Sequence, residues 1–209
     1  MELEEALIEL QILYEDNHLL AVVKPAGISV EGNASKRLSL LDISREWLRR
    51  KYHKRGNVFV GIIHRLDRPV SGVWLVAKTS KGASRLSEQF RSRTIKKIYW
   101  AVVEGSVEKD HDTLTHYLQS NVRSCLHYRV KKRTSRYSVL EIILETGRKH
   151  QIRAQLSSMG HPIWGDRKYG SKTAANSISL VAKRIEFFHP IRTDELIVVE
   201  VPDTLLVEP

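Results

Sequence analysis

Gly61-Ile62-Ile63-His64-Arg65-Leu66-Asp67-Arg68-Pro69-Val70-Ser71-Gly72 is the stretch that decides how this chain is read. An apolar run enters it, a polar loop bounded by Pro69 and Gly72 fills its middle, and a second apolar run leaves it. Both runs, Val58 to Ile63 and Gly72 to Thr79, are apolar on both parities, which predicts strands of a sheet covered on its two faces. A loop held between two such strands is a rigid mount for reactive groups. Its carboxylate, Asp67, has Arg65 and Arg68 beside it, and guanidiniums favour the ionised form that a nucleophile or base needs. Taken alone, Arg-x-Asp-Arg in a turn is equally the pattern of a surface ion pair.

Upstream, Leu19 to Lys24 is a short apolar run closed by Pro25-Ala26-Gly27, a strand and then a turn. Leu40 to Tyr52 spaces Leu40, Leu41, Trp47, Leu48 and Tyr52 as a helix does. Ser80 is placed to cap a second helix through about Arg91, with Ala83, Leu86 and Phe90 inward. Downstream, Ile95 to Val103, Leu114 to Gln119, Leu126 to Lys131, Ser138 to Glu145, Ser179 to Phe187 and Leu196 to Val201 read as strands. A helix over Lys149 to Met159 carries Ile152, Leu156 and Met159 on one stripe. Helices are too few for a βαβ alternation, so the expectation is an α+β fold around a mixed, largely antiparallel central sheet with flanking helices. No repeat, low-complexity tract or linker divides the chain, and one domain over residues 1–209 is expected.

Composition narrows the function classes. The 209 residues are 42% hydrophobic, which suits one sizeable core, and no apolar run approaches the roughly 18 residues of a membrane span. Four glutamates between Met1 and Leu10 argue against a signal or transit peptide, and the single Cys125 against an internal disulfide. These features predict a cytoplasmic, monomeric protein with no membrane partner. Thirty-four Lys and Arg against 24 Asp and Glu leave a net charge of +10. Such a field favours polyanions, of which nucleic acid is the commonest, although a basic solvated surface would look the same.

His64-Arg65-Leu66-Asp67 with Ser71-Gly72 resembles the central motif of the RluA family of pseudouridine synthases. Three further segments resemble that family's other motifs, in its order and at its approximate spacing. They are Tyr14-Glu15-Asp16-Asn17 with Val23-Lys24-Pro25-Ala26-Gly27, then Lys97-Ile98-Tyr99-Trp100-Ala101-Val102-Val103-Glu104-Gly105. Last come Thr146-Gly147-Arg148-Lys149-His150-Gln151-Ile152-Arg153 and Gly160-His161-Pro162-Ile163-Trp164-Gly165-Asp166. The resemblance covers about Tyr14 to Gly170. It implies the pseudouridine synthase fold with a catalytic cleft, and an isomerase that acts on uridine in ribosomal or transfer RNA.

The resemblance also assigns roles. Asp67 matches the family's catalytic aspartate, Arg153 the arginine that pairs with it, and Tyr99 the tyrosine on which the target uracil stacks. Arg65 matches a residue that helps take the base out of its stack, and Lys97, Arg148, His150 and Gln151 are expected to contact substrate. The residues accommodate these roles: Lys97 and Tyr99 share one face of an extended segment, and Arg153 borders the apolar stripe of its helix. A core tyrosine and a snorkelling arginine would show the same pattern. The flipped uridine would lose unstacking energy and recover it by stacking on Tyr99. Asp67 then either attacks C1′ or removes a proton to give a glycal.

Two basic stretches, Arg45 to Arg55 and Arg123 to Arg136, are further candidates for gripping RNA, or else solvated rims. His64, His150 and His161 lack metal-ligand spacing, so no metal is expected, and His64 reads as a hydrogen-bonded support of the loop. No phosphate loop or dinucleotide fingerprint is present, and no cofactor is expected. Only about a dozen residues precede the first motif, which leaves no room for the S4-type domain that many relatives carry. Val70 stands where relatives usually have threonine. Two rivals are a non-catalytic RNA-binding or chaperone protein on the same fold, and a nuclease, for which clustered acids would be needed.

Overall fold

The doubly apolar runs pair as their composition requires. The computed structural model describes residues 3–32, 38–118 and 122–209. Among these, ten strands form one sheet: β1 (Ile12–Glu15), β2 (Leu19–Lys24), β3 (Gly61–Ile62), β4 (Ser71–Ala77), β5 (Lys96–Glu104), β6 (His111–Leu118), β7 (Val122–Arg133), β8 (Tyr137–Leu144), β9 (Leu180–Phe188) and β10 (Leu196–Glu200). Their order is β1-β2-β4-β9-β5-β8-β7-β6, with β10 also beside β9 and β3 also beside β4. Every pairing is antiparallel except β4 with β9, which meet through Ser71–Val181 and Gly72–Ala182. Four helices, α1 (Leu3–Ile8), α2 (Leu40–Lys51), α3 (Ser80–Arg91) and α4 (Gln151–Ser158), flank the sheet. This is the expected α+β class with a mixed, largely antiparallel sheet.

Alternation along β2 explains why both parities are apolar. Leu20 and Val22 join a cluster with Trp74, Val76, Ile43 and Leu48, whereas Leu19 and Ala21 join one with Leu75, Leu86, Ile197 and Val199. A third cluster holds Leu126, Leu140 and Ile142 against Ile152 and Leu156 of α4. The parallel β4–β9 contact is the seam between the two halves of the sheet. Gly72 sits on it at φ +121, and a Cβ there would overlap the backbone of Ala182.

Several boundaries differ from expectation for identifiable reasons. β3 pairs only two residues, because the edge of β4 that it uses is shared with β9. Thr79, not Ser80, caps α3: its hydroxyl accepts from the Gly82 amide at 3.1 Å. α4 starts at Gln151 rather than Lys149, since His150 is left-handed at φ +55. The β6–β7 hairpin is longer than its apolar residues suggest, and pairs His111 with Arg129 and Thr113 with His127. Gln119, expected at the end of that strand, lies outside the described residues.

Candidate active site

The loop between β3 and β4 is anchored at both ends by burial. Leu66 enters the cluster packed on α2, Val70 the cluster packed on α4, and Asp67 stands between them. The Val70 amide closes a tight turn on the Asp67 carbonyl at 3.0 Å. From β2, Lys24 reaches beneath the loop with its ammonium fully buried. It donates to the carbonyls of Val70 at 2.6 Å, Arg68 at 3.0 Å and Pro25 at 3.1 Å. Burial pulls this ammonium down to about 8, so it remains a cation at neutral pH. Two bonds fasten the 25–27 turn to the same loop: the Gly27 amide donates to the Arg68 carbonyl at 2.8 Å, and Arg68 Nε to the Gly27 carbonyl at 2.7 Å. His64 behaves as a neutral support. Its Nε2 accepts from the Leu75 amide at 3.1 Å, its carbonyl accepts from Trp74 Nε1 at 3.2 Å, and its ring stacks on Phe90. Burial, and then the charge of Lys97, pushes that imidazole down to about 3.

Asp67 opens into a cleft of about 900 Å³. The carboxylate faces α4, where Arg153 Nη1 lies 3.6 Å from its Oδ2 and His150 Nε2 also lies 3.6 Å from it. Arg153 is 5% exposed and is held more tightly elsewhere. Its Nε and Nη2 form a fork with the buried Asp166 carboxylate at 2.6 and 2.7 Å, and its guanidinium lies over the Tyr169 ring at 4.8 Å. The fork leaves Nη1 aimed at Asp67. His150 is fixed from the same side, with Nδ1 2.9 Å from the Tyr169 hydroxyl. A left-handed backbone at a non-glycine residue costs about 1 kcal/mol, which the surrounding contacts must offset.

Tyr99, on β5, packs against both the α2 and the α4 clusters at the cleft floor, and its hydroxyl has no hydrogen-bond partner among the described residues. Burial, reinforced by the Asp67 charge, raises its pKa well above the ordinary tyrosine value, so the ring stays a neutral, protonated surface. Lys97 lines the same cleft two residues away, and burial together with Arg93 lowers its pKa. Arg148 also lines the cleft. Arg65 stands at the rim, 73% exposed, and meets Glu31 at 3.1 Å. The structure therefore brings Asp67, Arg153, His150, Tyr99, Lys97 and Arg148 to one cavity.

Gln151 lines the same cavity, but its side chain is engaged inside the protein. It is 2% exposed, accepts from Thr146 Oγ1 at 2.8 Å and the Arg148 amide at 3.0 Å, and donates to the Cys125 carbonyl at 3.0 Å. These bonds brace the 146–151 turn and tie it to β7. Asp166, Tyr169 and Lys24 were given no role by sequence reasoning, although all but Tyr169 lie inside quoted motifs. A buried acid thirteen residues after an arginine carries no local signal of a fork.

The histidines of the cleft do not assemble with other metal ligands among the described residues. Cys125, His127 and Glu145 do bring ligand atoms within 4.8 Å of one another. Glu145 is already held by Arg123 at 2.8 Å and Arg93 at 3.8 Å, so a cation there would meet two guanidiniums, and the group fits a metal poorly.

Comparison with known proteins places this geometry. The profile of the RNA pseudouridylate synthase family matches residues 18–158. The "Uncharacterized RNA pseudouridine synthase YhcT" of Bacillus subtilis is 35% identical over 93% of this chain and 68% of its own length. The "Ribosomal large subunit pseudouridine synthase D" of Nitrosomonas europaea is 35% identical over 88% of this chain, which spans 59% of that protein. The "tRNA pseudouridine synthase C" of Haemophilus ducreyi is 34% identical, covering 88% of this chain and 87% of that one. Among solved structures, "Human RNA Pseudouridylate Synthase Domain Containing 4" superposes with a TM-score of 0.80 at 21% identity, over 97% of this chain and 92% of that one, a likeness of fold.

Proposed function

The chain belongs to the RNA pseudouridylate synthase family, and from that premise we propose that it isomerises uridine to pseudouridine in ribosomal or transfer RNA, with Asp67 as the reacting carboxylate. One observation carries the reading. A carboxylate faced by a buried, forked arginine opens into a cleft whose floor is a tyrosine ring and whose walls bear Lys97 and Arg148. The reaction breaks the N1–C1′ bond of uridine, turns the base and rejoins it through C5. It needs an anionic group at the sugar, an aromatic face for the detached base and cations for the phosphates. The target base leaves its stack to reach Asp67, a reading supported by the carboxylate's place in the cleft lining. Relatives named for the large ribosomal subunit and for tRNA support either class of RNA.

Tritium release from RNA labelled at C5 of uridine tests this directly, with transcripts of several tRNAs and large-subunit rRNA fragments. Wild type should release tritium from at least one transcript, while Asp67→Ala and Asp67→Asn release none yet bind that transcript with nearly the same affinity. An active Asp67→Asn protein would remove Asp67 from the chemistry. Tight binding with no release from any transcript would point instead to a binding protein on this fold.

A further inference from the structure

We propose that His150, oriented by the Tyr169 hydroxyl, is a second positioning residue for Asp67, so that a Tyr169–His150–Asp67 chain works beside the Asp166–Arg153–Asp67 fork. This rests on the reading of Asp67 as the reacting carboxylate. It also replaces the expectation that His150 contacts substrate.

Three independent observations converge on the imidazole. Its backbone is left-handed at φ +55, and it occupies the N-cap of α4 without making a capping bond. Glycine would adopt that backbone more readily. Histidine here therefore supplies something other than helix termination. Its ring bridges two groups: Nδ1 is 2.9 Å from Tyr169 Oη, and Nε2 is 3.6 Å from Asp67 Oδ2. An ionised Asp67 only accepts hydrogen bonds, which selects the tautomer with the proton on Nε2 and makes Nδ1 the acceptor from the tyrosine. The chain of donors thus runs from Tyr169 through His150 to Asp67. The 3.6 Å gap closes to a hydrogen bond by a shift of a few tenths of an ångström, of the kind seen when catalytic contacts tighten around substrate.

Tyr169 serves both arms. Its hydroxyl holds His150 and its ring carries the Arg153 guanidinium at 4.8 Å. The Arg167–Tyr169 turn, distant from Asp67 in sequence, fixes both groups that face the carboxylate.

The charged surroundings give the imidazole a defined titration. Asp67 faces it from the β3–β4 loop, Arg153 from α4, Lys149 from its own turn, and Lys168 with Tyr169 from the 167–169 turn. Burial first, and then the charges of Arg153, Lys168 and Lys149, lower its pKa below the ordinary histidine value, while Asp67 opposes them. The ring is neutral at pH 7. Protonation at lower pH places a proton on Nδ1, and the bond accepted from Tyr169 is lost. The relay accordingly works on the alkaline side of that titration and fails on the acid side.

His150→Gly separates a catalytic role from a structural one, because glycine relieves the left-handed strain. The variant should melt no lower than wild type and bind the active transcript with unchanged affinity. Its kcat in the C5 tritium-release assay should fall by about 10- to 100-fold, the scale on which a misplaced reacting group is felt. His150→Gln, whose amide can donate to Asp67 but does not titrate, should recover part of that loss, with the acid limb of its pH profile moved to lower pH. Tyr169→Phe should lower kcat in the same direction. Wild-type and Asp67→Ala proteins run in the same assay keep the two readings apart. With wild type active and Asp67→Ala dead, a His150→Gly protein within twofold of wild-type kcat overturns the role of His150 and leaves that of Asp67 intact. A His150→Gly protein that loses RNA affinity with kcat unchanged would return the residue to substrate contact and equally overturn it.

Discussion

The least conspicuous residue in the cleft's support is Lys24, an ammonium with no exposed surface and, among the described residues, no carboxylate within hydrogen-bonding reach. A buried charge of this kind is expensive; the charge of Asp67 favours it, and three carbonyl acceptors satisfy its donors. Two of them, Arg68 and Val70, lie within three residues of Asp67, so the lysine draws the reactive loop down onto β2. Lys24→Met keeps the length of the side chain and removes the donor. It should cost about 2–3 kcal/mol in urea denaturation, the range for leaving buried carbonyls unsatisfied. It should also lower kcat more than that loss of stability explains, since Asp67 would no longer be held. Unchanged kcat in a destabilised variant would make Lys24 a prop of the fold and nothing more. This geometry was not readable in advance: Lys24-Pro25-Ala26-Gly27 reads as strand and turn, and two of the carbonyls that Lys24 meets are 44 and 46 residues away. Asp67 and Tyr99, by contrast, stood out through the resemblance of their motifs to a family pattern, since their local surroundings alone read as a surface ion pair and a core tyrosine; the two line one cleft.

Between elements, the decisive contact is the short parallel seam of β4 and β9. It joins the sheet half carrying Asp67 to the half carrying Tyr99, and it consists of two residue pairs. Gly72 makes the approach possible, since its φ of +121 and its missing Cβ both lie where the Ala182 backbone passes. Gly72→Ala has no room to relax, because backbone and not a flexible side chain blocks it. The substitution should lower stability by about 3 kcal/mol or more, at the upper end of single-residue effects, with loss of cooperative thermal unfolding as the readout. Gly27→Ala is the useful contrast: its φ is +89 but nothing lies within 4 Å of a Cβ, so only the backbone cost of about 1 kcal/mol applies. Equal effects at the two glycines would mean that the seam tolerates separation. Strands buried on both faces were readable from composition, as β2 shows residue for residue. The length of β3 was not, because it is limited by a neighbour 120 residues downstream that competes for the same edge of β4.

Across the whole molecule, a net charge of +10 says less about RNA than the distribution of its unpaired part. Both basic stretches that stand out in the sequence are neutralised in part by nearby acids. On α2, Arg49 and Arg50 clasp Glu46, Arg50 also takes Glu4, and Lys51 takes Glu15. On the β6–β8 side, Arg123 pairs with Glu145, Arg129 and Lys131 with Glu141, Lys132 with Glu208 and Arg133 with Asp110. The Glu46 pairs follow from i,i+3 and i,i+4 spacing on α2, but Glu4, Glu15, Glu208 and Asp110 come from other segments, which periodicity could not show. Among the described residues, Lys97, Arg148 and Lys149 line the cleft and form no ion pair, so part of the unpaired positive charge stands beside the carboxylate, while Arg45, Lys54, Arg55 and Arg136 carry unpaired charge elsewhere on the surface. Each phosphate neutralised by a protein cation releases counterions, contributing about 0.7 to the slope of log K against log salt for single-stranded RNA. Arg148→Ala with Lys149→Ala should therefore weaken binding of the active transcript and flatten that slope by about 1 to 1.5. Arg49→Ala with Arg50→Ala removes the same formal charge but frees Glu46 and Glu4 and touches no cleft wall, so the slope should hardly move. If the α2 pair flattened the slope as much as the cleft pair, net charge would govern RNA binding, and the ion pairs of α2 would have to open when RNA arrives.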